Sequence, residues 1–81
     1  MKVSFIGSGG VACTTAFALS FKDFFNEMVM LDINPNIAKG KAIDLQQSFI
    51  LNHKNINIVG TSDYKLIEGS DVIVITAGSA K

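Results

Sequence analysis

A regular alternation between short apolar segments and longer segments of helical periodicity limits the fold of this chain more than any other feature. Four short, largely apolar segments, three of them rich in β-branched or aromatic residues, end at glycines or polar residues, as strands do. After the first two, small or apolar residues recur three and four positions apart, as on one face of a helix. The predicted strands are residues 2–6, 28–31, 56–60 and 71–76, and the predicted helices begin at residue 11 and run over residues 36–51.

The order of these segments predicts the α/β class with a parallel sheet. Strands that alternate with helices are joined by right-handed crossovers. We therefore expect about four strands in the spatial order 3-2-1-4, with helices on both faces. Within residues 71–76 the four central residues, 72–75, are all apolar and β-branched. Such a run is typical of a strand covered on both faces, yet its place in this order leaves it at an open edge. A ligand crevice is expected where the strand order reverses.

Each predicted helix carries a second apolar stripe beside its main face. The first helix has a main face of Ala12, Thr15, Ala16 and Leu19. Its second stripe, Phe17, Phe21 and Phe24, fits either ordinary core contact or a surface that another segment or subunit covers. The second helix has a main face of Ala38, Ala42, Leu45 and Phe49, with Ile43 and Ile50 off that face. Asn34 and Pro35 supply a cap and a first-turn proline that open the second helix.

Composition excludes several classes of protein. The 81 residues carry seven basic and seven acidic side chains, one cysteine and one histidine. There is no basic surface for nucleic acid, no disulfide framework, and no Cys/His zinc site. No apolar run approaches the roughly 20 residues that span a bilayer, and residues 7–10 interrupt what could resemble a secretory signal. We expect a cytoplasmic protein with no metal and no membrane or nucleic-acid partner.

A glycine-rich turn follows the first predicted strand and opens the first helix. It reads Gly7-Ser8-Gly9-Gly10-Val11-Ala12, a G-x-G-x-x-A pattern in its required strand-to-helix context. The first glycine allows a sharp turn, the second lets a pyrophosphate approach the backbone, and the small sixth residue keeps the helix close to the strand. The helix N-terminus then offers N–H groups to the anion. The pattern predicts the dinucleotide-binding turn of a Rossmann-type fold.

Asp32 ends the second predicted strand at the distance that this fingerprint expects. A carboxylate at that place can accept the ribose hydroxyls of adenosine and would repel a 2′-phosphate, so NAD is predicted rather than NADP. The alternative is that Asp32 merely caps the second helix.

With these residues in place, the chain resembles the lactate/malate dehydrogenase family along its whole length. The similar segments are residues 2–9, 32–34, 39–46 and 70–78, and residues 58–64 are more similar to malate-type than to lactate-type members. The resemblance implies an NAD-dependent oxidoreductase that interconverts malate and oxaloacetate, a reaction of the tricarboxylic acid cycle. The implied cofactor-binding residues are Gly7, Ser8, Gly9, Gly10, Val11, Ala12, Asp32, Thr76, Ala77 and Gly78.

The resemblance also implies what this chain does not contain. Residues 1–81 correspond to the N-terminal part of a Rossmann domain, and the family's catalytic Asp–His pair lies outside them, so we expect the chain alone to be inactive. His53 falls in a predicted surface turn and Cys13 is read as an ordinary helix residue, so no catalytic residue is assigned. Ala12 replaces the more usual glycine, and Lys81 stands where the family has a substrate-binding arginine, which leaves the substrate in question.

Two alternatives to a malate-type enzyme stay open. One is a lactate-type 2-hydroxy acid dehydrogenase, which residues beyond this sequence would distinguish. The other is a stand-alone nucleotide-binding remnant without catalysis. The resemblance further implies a homo-oligomer that forms through the second helix.

Overall fold

The computed structural model describes residues 1–76, so Ala77, Gly78 and Lys81 lie outside the described residues. Four strands and two α-helices follow one another in the predicted order. Two short 3₁₀ helices, Ser20–Lys22 and Tyr64–Ile67, lie in the connections. The elements are β1 (Lys2–Ile6), α1 (Gly10–Leu19), β2 (Glu27–Leu31), α2 (Pro35–Leu51), β3 (Asn57–Thr61) and β4 (Val72–Ile75).

The four strands form one parallel sheet in the order β3-β2-β1-β4. This confirms the predicted fold class and strand order. In the register, Phe5 of β1 lies between Met30 of β2 and Val74 of β4. Side chains alternate between the two faces along a strand, so residues paired across neighbouring strands, such as these three, lie on the same face.

Both α-helices pack on one face of the sheet, where the core lies. Ala12 and Ala16 of α1 are completely buried there, as the predicted main face requires. All four main-face residues of α2 are buried too. The core cluster joins these helices to alternate strand residues: Val3, Phe5, Ala12, Ala16, Met28, Met30, Ala42, Leu45, Phe49, Ile56 and Ile58.

The second helix begins where its local sequence directs. The side chain of Asn34 accepts hydrogen bonds from the backbone N–H groups of Asn36 (3.1 Å) and Ile37 (3.3 Å), and Pro35 occupies the first turn. These contacts satisfy donors that a helix N-terminus leaves unpaired. The predicted cap is therefore confirmed, and it is Asn34 rather than Asp32 that caps α2.

Helix α2 lies unusually close to β3 at Gly60. A Cβ atom added at Gly60 would lie 2.2 Å from the carbonyl oxygen and 2.3 Å from the carbonyl carbon of Ala38. Only a residue without a side chain allows the helix backbone to approach the strand in this way.

The opposite face of the sheet is covered by the connection between β3 and β4. Ser4 Oγ lies 2.6 Å from Ser70 Oγ, and Lys2 Nζ donates to the carbonyl oxygens of Leu66 (2.7 Å) and Glu68 (2.8 Å). Lys2 and Ser4 alternate with the core residues of β1, so this connection lies opposite α1 and α2. The sequence predicts helices on both faces of the sheet. Among residues 1–76, both α-helices lie on the core face, and the 3₁₀ helix Tyr64–Ile67 is the one helix on the opposite face.

Several apolar side chains that could have been core residues are exposed. The Phe17, Phe21 and Phe24 side chains are 39, 48 and 64% exposed within residues 1–76. Helix α1 ends at Leu19, so the predicted stripe along one helix is wrong: Phe17 lies on α1, Phe21 lies in the 3₁₀ helix Ser20–Lys22, and Phe24 follows Asp23, where the backbone turns with φ +60°. Strand β4 lies at the edge of the sheet with Ile75 72% exposed, so the cover on both faces expected from its apolar sequence is wrong for these residues. Within residues 1–76, neither helix has the length and apolar character that crossing a membrane requires.

Candidate functional site

The predicted site residues meet at the carboxyl ends of the strands. Gly7 directly follows β1, Asp32 follows β2 and Thr76 follows β4. The crossover after β1 leads toward β2, whereas the connection after β3 returns across the sheet to β4 on the other side of β1. The crevice predicted at the reversal of strand order therefore lies at the carboxyl ends of β1 and β4.

Gly7 makes the turn that leaves the sheet. Its φ is +107°, in a region that side chains other than glycine rarely adopt. Its N–H donates to the carbonyl oxygen of Leu31 at 2.7 Å, which continues the β1–β2 ladder by one more bond. The requirement for glycine at this position is therefore conformational.

The N-terminus of α1 carries no side-chain cap. Gly9 is the N-cap residue, with φ −75° and ψ −172°, and no acidic side chain lies in the first turn. A Cβ atom at Gly9 or Gly10 would meet nothing within 4 Å, and Val11 is 70% exposed. The first turn of this ten-residue helix, with its partial positive charge, therefore has N–H groups that no described side chain caps and open space beside Gly9 and Gly10. Such a terminus suits an anion such as a pyrophosphate.

Asp32 lies beside this turn and is held by three described donors. Ser8 donates to Asp32 Oδ2 through its hydroxyl (2.6 Å) and its backbone N–H (3.2 Å), while the N–H of Asn34 donates to Oδ1 (3.1 Å). The Ser8 hydroxyl, followed by the Asn34 N–H, holds the pKa of the Asp32 carboxyl below its ordinary value, although partial burial acts in the opposite direction. The carboxylate is therefore ionised and oriented at neutral pH.

The remaining predicted residues occupy supporting places. Ala12 is completely buried between α1 and the sheet, where a small residue lets the helix pack closely. Thr76 donates to the carbonyl oxygen of Ile6 through its N–H (2.9 Å) and its hydroxyl (3.3 Å), so it lies beside the Gly7 turn.

The hydroxyl of Ser8 is a contact that the sequence pattern did not reveal. The G-x-G-x-x-A pattern leaves its second position open, so Ser8 was predicted only as part of the turn. The signal available was a small polar residue next to two glycines, with a carboxylate 24 positions later. Nothing local links these positions, because they meet only through the pairing of β1 with β2.

Other reactive residues form no second site in the described part of the chain. His53 is exposed in the turn after α2, with a positive φ of 58°, as the predicted surface position requires. Cys13 is half-buried and its Sγ lies 3.8 Å from the carbonyl oxygen of Ser8. Among residues 1–76, no three His, Cys, Asp or Glu side chains are grouped so that they could hold a metal ion.

Comparison with known proteins gives a family match and similar chains. The family model described as "lactate/malate dehydrogenase, NAD binding domain" matches residues 1–81. A malate dehydrogenase of Chlorobium chlorochromatii is 40% identical over 81 residues, which are all of this chain and 26% of that protein.

Two solved structures show the same fold. The malate dehydrogenase of Archaeoglobus fulgidus in complex with NADH superimposes with a TM-score of 0.93 at 40% identity, over 100% of this chain and 28% of that one. The lactate dehydrogenase of Eimeria maxima with NADH and oxamate has a TM-score of 0.88 at 35% identity, over 99% and 25%.

The chain spans about a quarter of the length of the relatives it matches. The family and its described domain confirm the predicted resemblance and NAD as the cofactor. On the match over residues 1–81 to the model of its NAD-binding domain, the chain belongs to the lactate/malate dehydrogenase family.

Proposed function

We propose that the crevice at the carboxyl ends of β1 and β4, together with Asp32 at the end of the neighbouring strand β2, binds the adenosine and pyrophosphate of NAD, as the N-terminal part of a malate dehydrogenase-like enzyme. One observation carries this proposal. The uncapped N-terminus of α1 and the ionised carboxylate of Asp32 adjoin each other, with Ser8 N only 3.2 Å from Asp32 Oδ2. A helix end with partial positive charge beside an oriented carboxylate suits a ligand that joins a pyrophosphate to a ribose diol.

The turn from Gly7 to Ala12 is proposed to hold the pyrophosphate. The open space at Gly9 and Gly10 admits an anion to the backbone, and the absence of a side-chain cap on α1 leaves N–H groups as donors. Charge-assisted hydrogen bonds of this kind are stronger than neutral ones. These backbone donors could bind a phosphate-bearing cofactor even though the turn contains no lysine.

Asp32 is proposed to accept hydrogen bonds from the adenosine ribose. An ionised carboxylate also repels a 2′-phosphate, which favours NAD over NADP. Thr76, beside the turn, is proposed to line the same half of the cofactor, together with Ala77 and Gly78, which lie outside the described residues.

The reaction proposed for the whole enzyme is hydride transfer between NAD and malate or oxaloacetate, a reaction of the tricarboxylic acid cycle, as the sequence resemblance implies. A cytoplasmic location is proposed separately, from the single cysteine and the interrupted signal pattern. When bound, NAD supplies the hydride chemistry, while the protein binds and orients it. Residues 58–64, similar to malate-type members, favour malate over the lactate-type alternative. We assign no catalytic group to residues 1–81 and expect this chain alone to bind NAD without turnover.

Titration of the 81-residue chain with NAD tests the cofactor site. We expect saturable binding, and Asp32→Asn should weaken it by about 10- to 100-fold, because a hydrogen bond to a charged group contributes about 1.5–3 kcal/mol. The ratio of the affinity for NAD to the affinity for NADP should decrease at the same time. Calorimetry or protein-observed NMR gives both affinities.

The control for this titration is Asp44→Asn, an equal change in charge at an exposed position of α2. It should leave both affinities unchanged. If Asp32→Asn binds NAD as tightly as the unaltered chain, or if the folded chain does not bind NAD, the proposal is wrong.

We further propose that two copies of the chain associate through α2. Ile43 and Ile50 are 59 and 63% exposed, seven residues apart on one side of this helix. Sedimentation velocity should detect a dimer that Ile43→Glu dissociates. Lys41→Gln, which changes the charge by the same amount about 160° around the helix, should leave the dimer intact. A monomer at every concentration tested would contradict this arrangement.

A further inference from the structure

The hydroxyl of Ser8 is a buried polar group with one described hydrogen-bonded partner. Ser8 is only 1% exposed, and its Oγ donates to Asp32 Oδ2 at 2.6 Å. A hydroxyl removed from water needs a partner, and a charged acceptor gives the stronger bond. Among residues 1–76, the hydrogen bond that the Ser8 hydroxyl donates is therefore the one to the Asp32 carboxylate.

The hydrogen bonds divide unequally between the two carboxylate oxygens. Oδ2 accepts both donors of Ser8, whereas Oδ1 accepts the single N–H of Asn34 among the described residues. A carboxylate has about four acceptor positions. The two Ser8 contacts thus restrain the carboxylate through Oδ2, and Oδ1 retains acceptor capacity for a ligand.

Ser8 also belongs to the turn itself. It lies between Gly7, which leaves β1, and Gly9, which caps α1. Any shift of this turn moves the donor that orients Asp32. The pyrophosphate part and the ribose part of the site are therefore joined through one buried side chain.

We infer that Ser8 is a positioning residue, whose hydroxyl orients Asp32 toward the adenosine ribose and so strengthens the discrimination between NAD and NADP. This inference rests on the proposed function. It assigns Ser8 a role through Asp32 instead of a contact with the cofactor by its side chain. The lowered pKa of Asp32 agrees with this contact, since the Ser8 hydroxyl is its largest cause.

The test compares Ser8→Ala with Ser8→Thr, which retains a hydroxyl, in titrations of the 81-residue chain with NAD and NADP. Ser8→Ala should weaken NAD binding about tenfold and reduce the preference for NAD, while Ser8→Thr should restore both. The matched control is Ser20→Ala. Ser20 is another buried serine, and its hydroxyl bonds the carbonyl oxygen of Phe17 away from the site. It should leave NAD affinity unchanged.

The pH profile separates positioning from a general loss of structure. The ionised carboxylate is the form that binds the ribose, so NAD affinity falls as acid protonates Asp32. Removing the Ser8 hydroxyl raises the pKa of Asp32, so in Ser8→Ala this fall should begin at a higher pH than in the unaltered chain. The ¹³C shift of the Asp32 carboxyl reports the same displacement without a ligand.

The outcomes distinguish this inference from the proposed function. If Ser8→Ala matches Ser20→Ala in NAD affinity and pH profile while Asp32→Asn binds weakly, Ser8 has no positioning role and the NAD site stands. If Asp32→Asn has no effect, the proposed site itself is wrong. Should Ser8→Ala fail to fold, Ser8→Cys keeps the volume but is a weak donor, and NAD binding equal to that of the unaltered chain would overturn the inference.

Discussion

Alanine at Gly60 is expected to unfold most of the protein. The new Cβ would lie 2.2–2.5 Å from three backbone atoms of Ala38 and Lys39, and backbone cannot turn aside as a flexible side chain can. Helix α2 would have to move away from β3, which disrupts the core that α2 shares with the sheet. We expect a loss of about 3 kcal/mol or more. Unfolding in urea, followed by circular dichroism, measures it.

Gly40→Ala is the matched control for this change. Gly40 lies inside α2, and a Cβ there meets nothing within 4 Å. Alanine favours a helix interior by about 1 kcal/mol over glycine, so this variant should be as stable as the unaltered chain or more so. If both variants unfold at the same urea concentration, the close contact between α2 and β3 is wrong.

Valine at Gly9 is expected to have the opposite effect, leaving the fold intact and removing NAD binding. The backbone of Gly9 is extended, with φ −75° and ψ −172°, and its Cβ position is open. Loss of stability should be about 1 kcal/mol, since valine is a much poorer N-cap than glycine, and the fold should survive it. The added methyl groups would occupy the space proposed for the pyrophosphate. Losing two charge-assisted hydrogen bonds there corresponds to about 100-fold weaker binding or more.

Calorimetric titration with NAD and urea unfolding should be run together on Gly9→Val. Gly40→Ala serves again as the control, now with unchanged NAD affinity. NAD binding to Gly9→Val at the affinity of the unaltered chain would show that the pyrophosphate does not approach the backbone at this turn.

Much of the fold was predictable from short-range patterns. All four residues predicted for the main face of α2, from Ala38 to Phe49, are buried. Some observed strand ends differ from the predicted ones by one residue. Strand β2, for example, begins at Glu27 and not at the predicted residue 28, because the polar Glu27 still pairs with Lys2 of β1 and Asn57 of β3. Hydrophobic patterns locate the middle of a strand, whereas hydrogen bonds to neighbouring strands define its ends.

The exposure of apolar residues was less predictable. The spacing of Phe17, Phe21 and Phe24 fitted a core face or an interaction surface equally well. All three are exposed in the described chain, and only Phe17 lies on α1, because that helix ends at Leu19. Strand β4 has the composition of a central strand but lies at the sheet edge. Periodicity shows that one side of an element is apolar. Whether that side is buried depends on which other elements pack against it.

What the amino-acid sequence determined alone is the set of local features. The need for glycine at the Gly7 turn, the cap of Asn34 on α2 and the alternation that produces the parallel sheet all depend on neighbouring residues. Tertiary structure alone decided the contacts across long separations: Ser8 with Asp32, 24 residues apart, and Gly60 against Ala38. The reason is physical, because local conformational preferences act over a few residues, whereas these contacts exist only after strand pairing and helix packing have brought distant segments together.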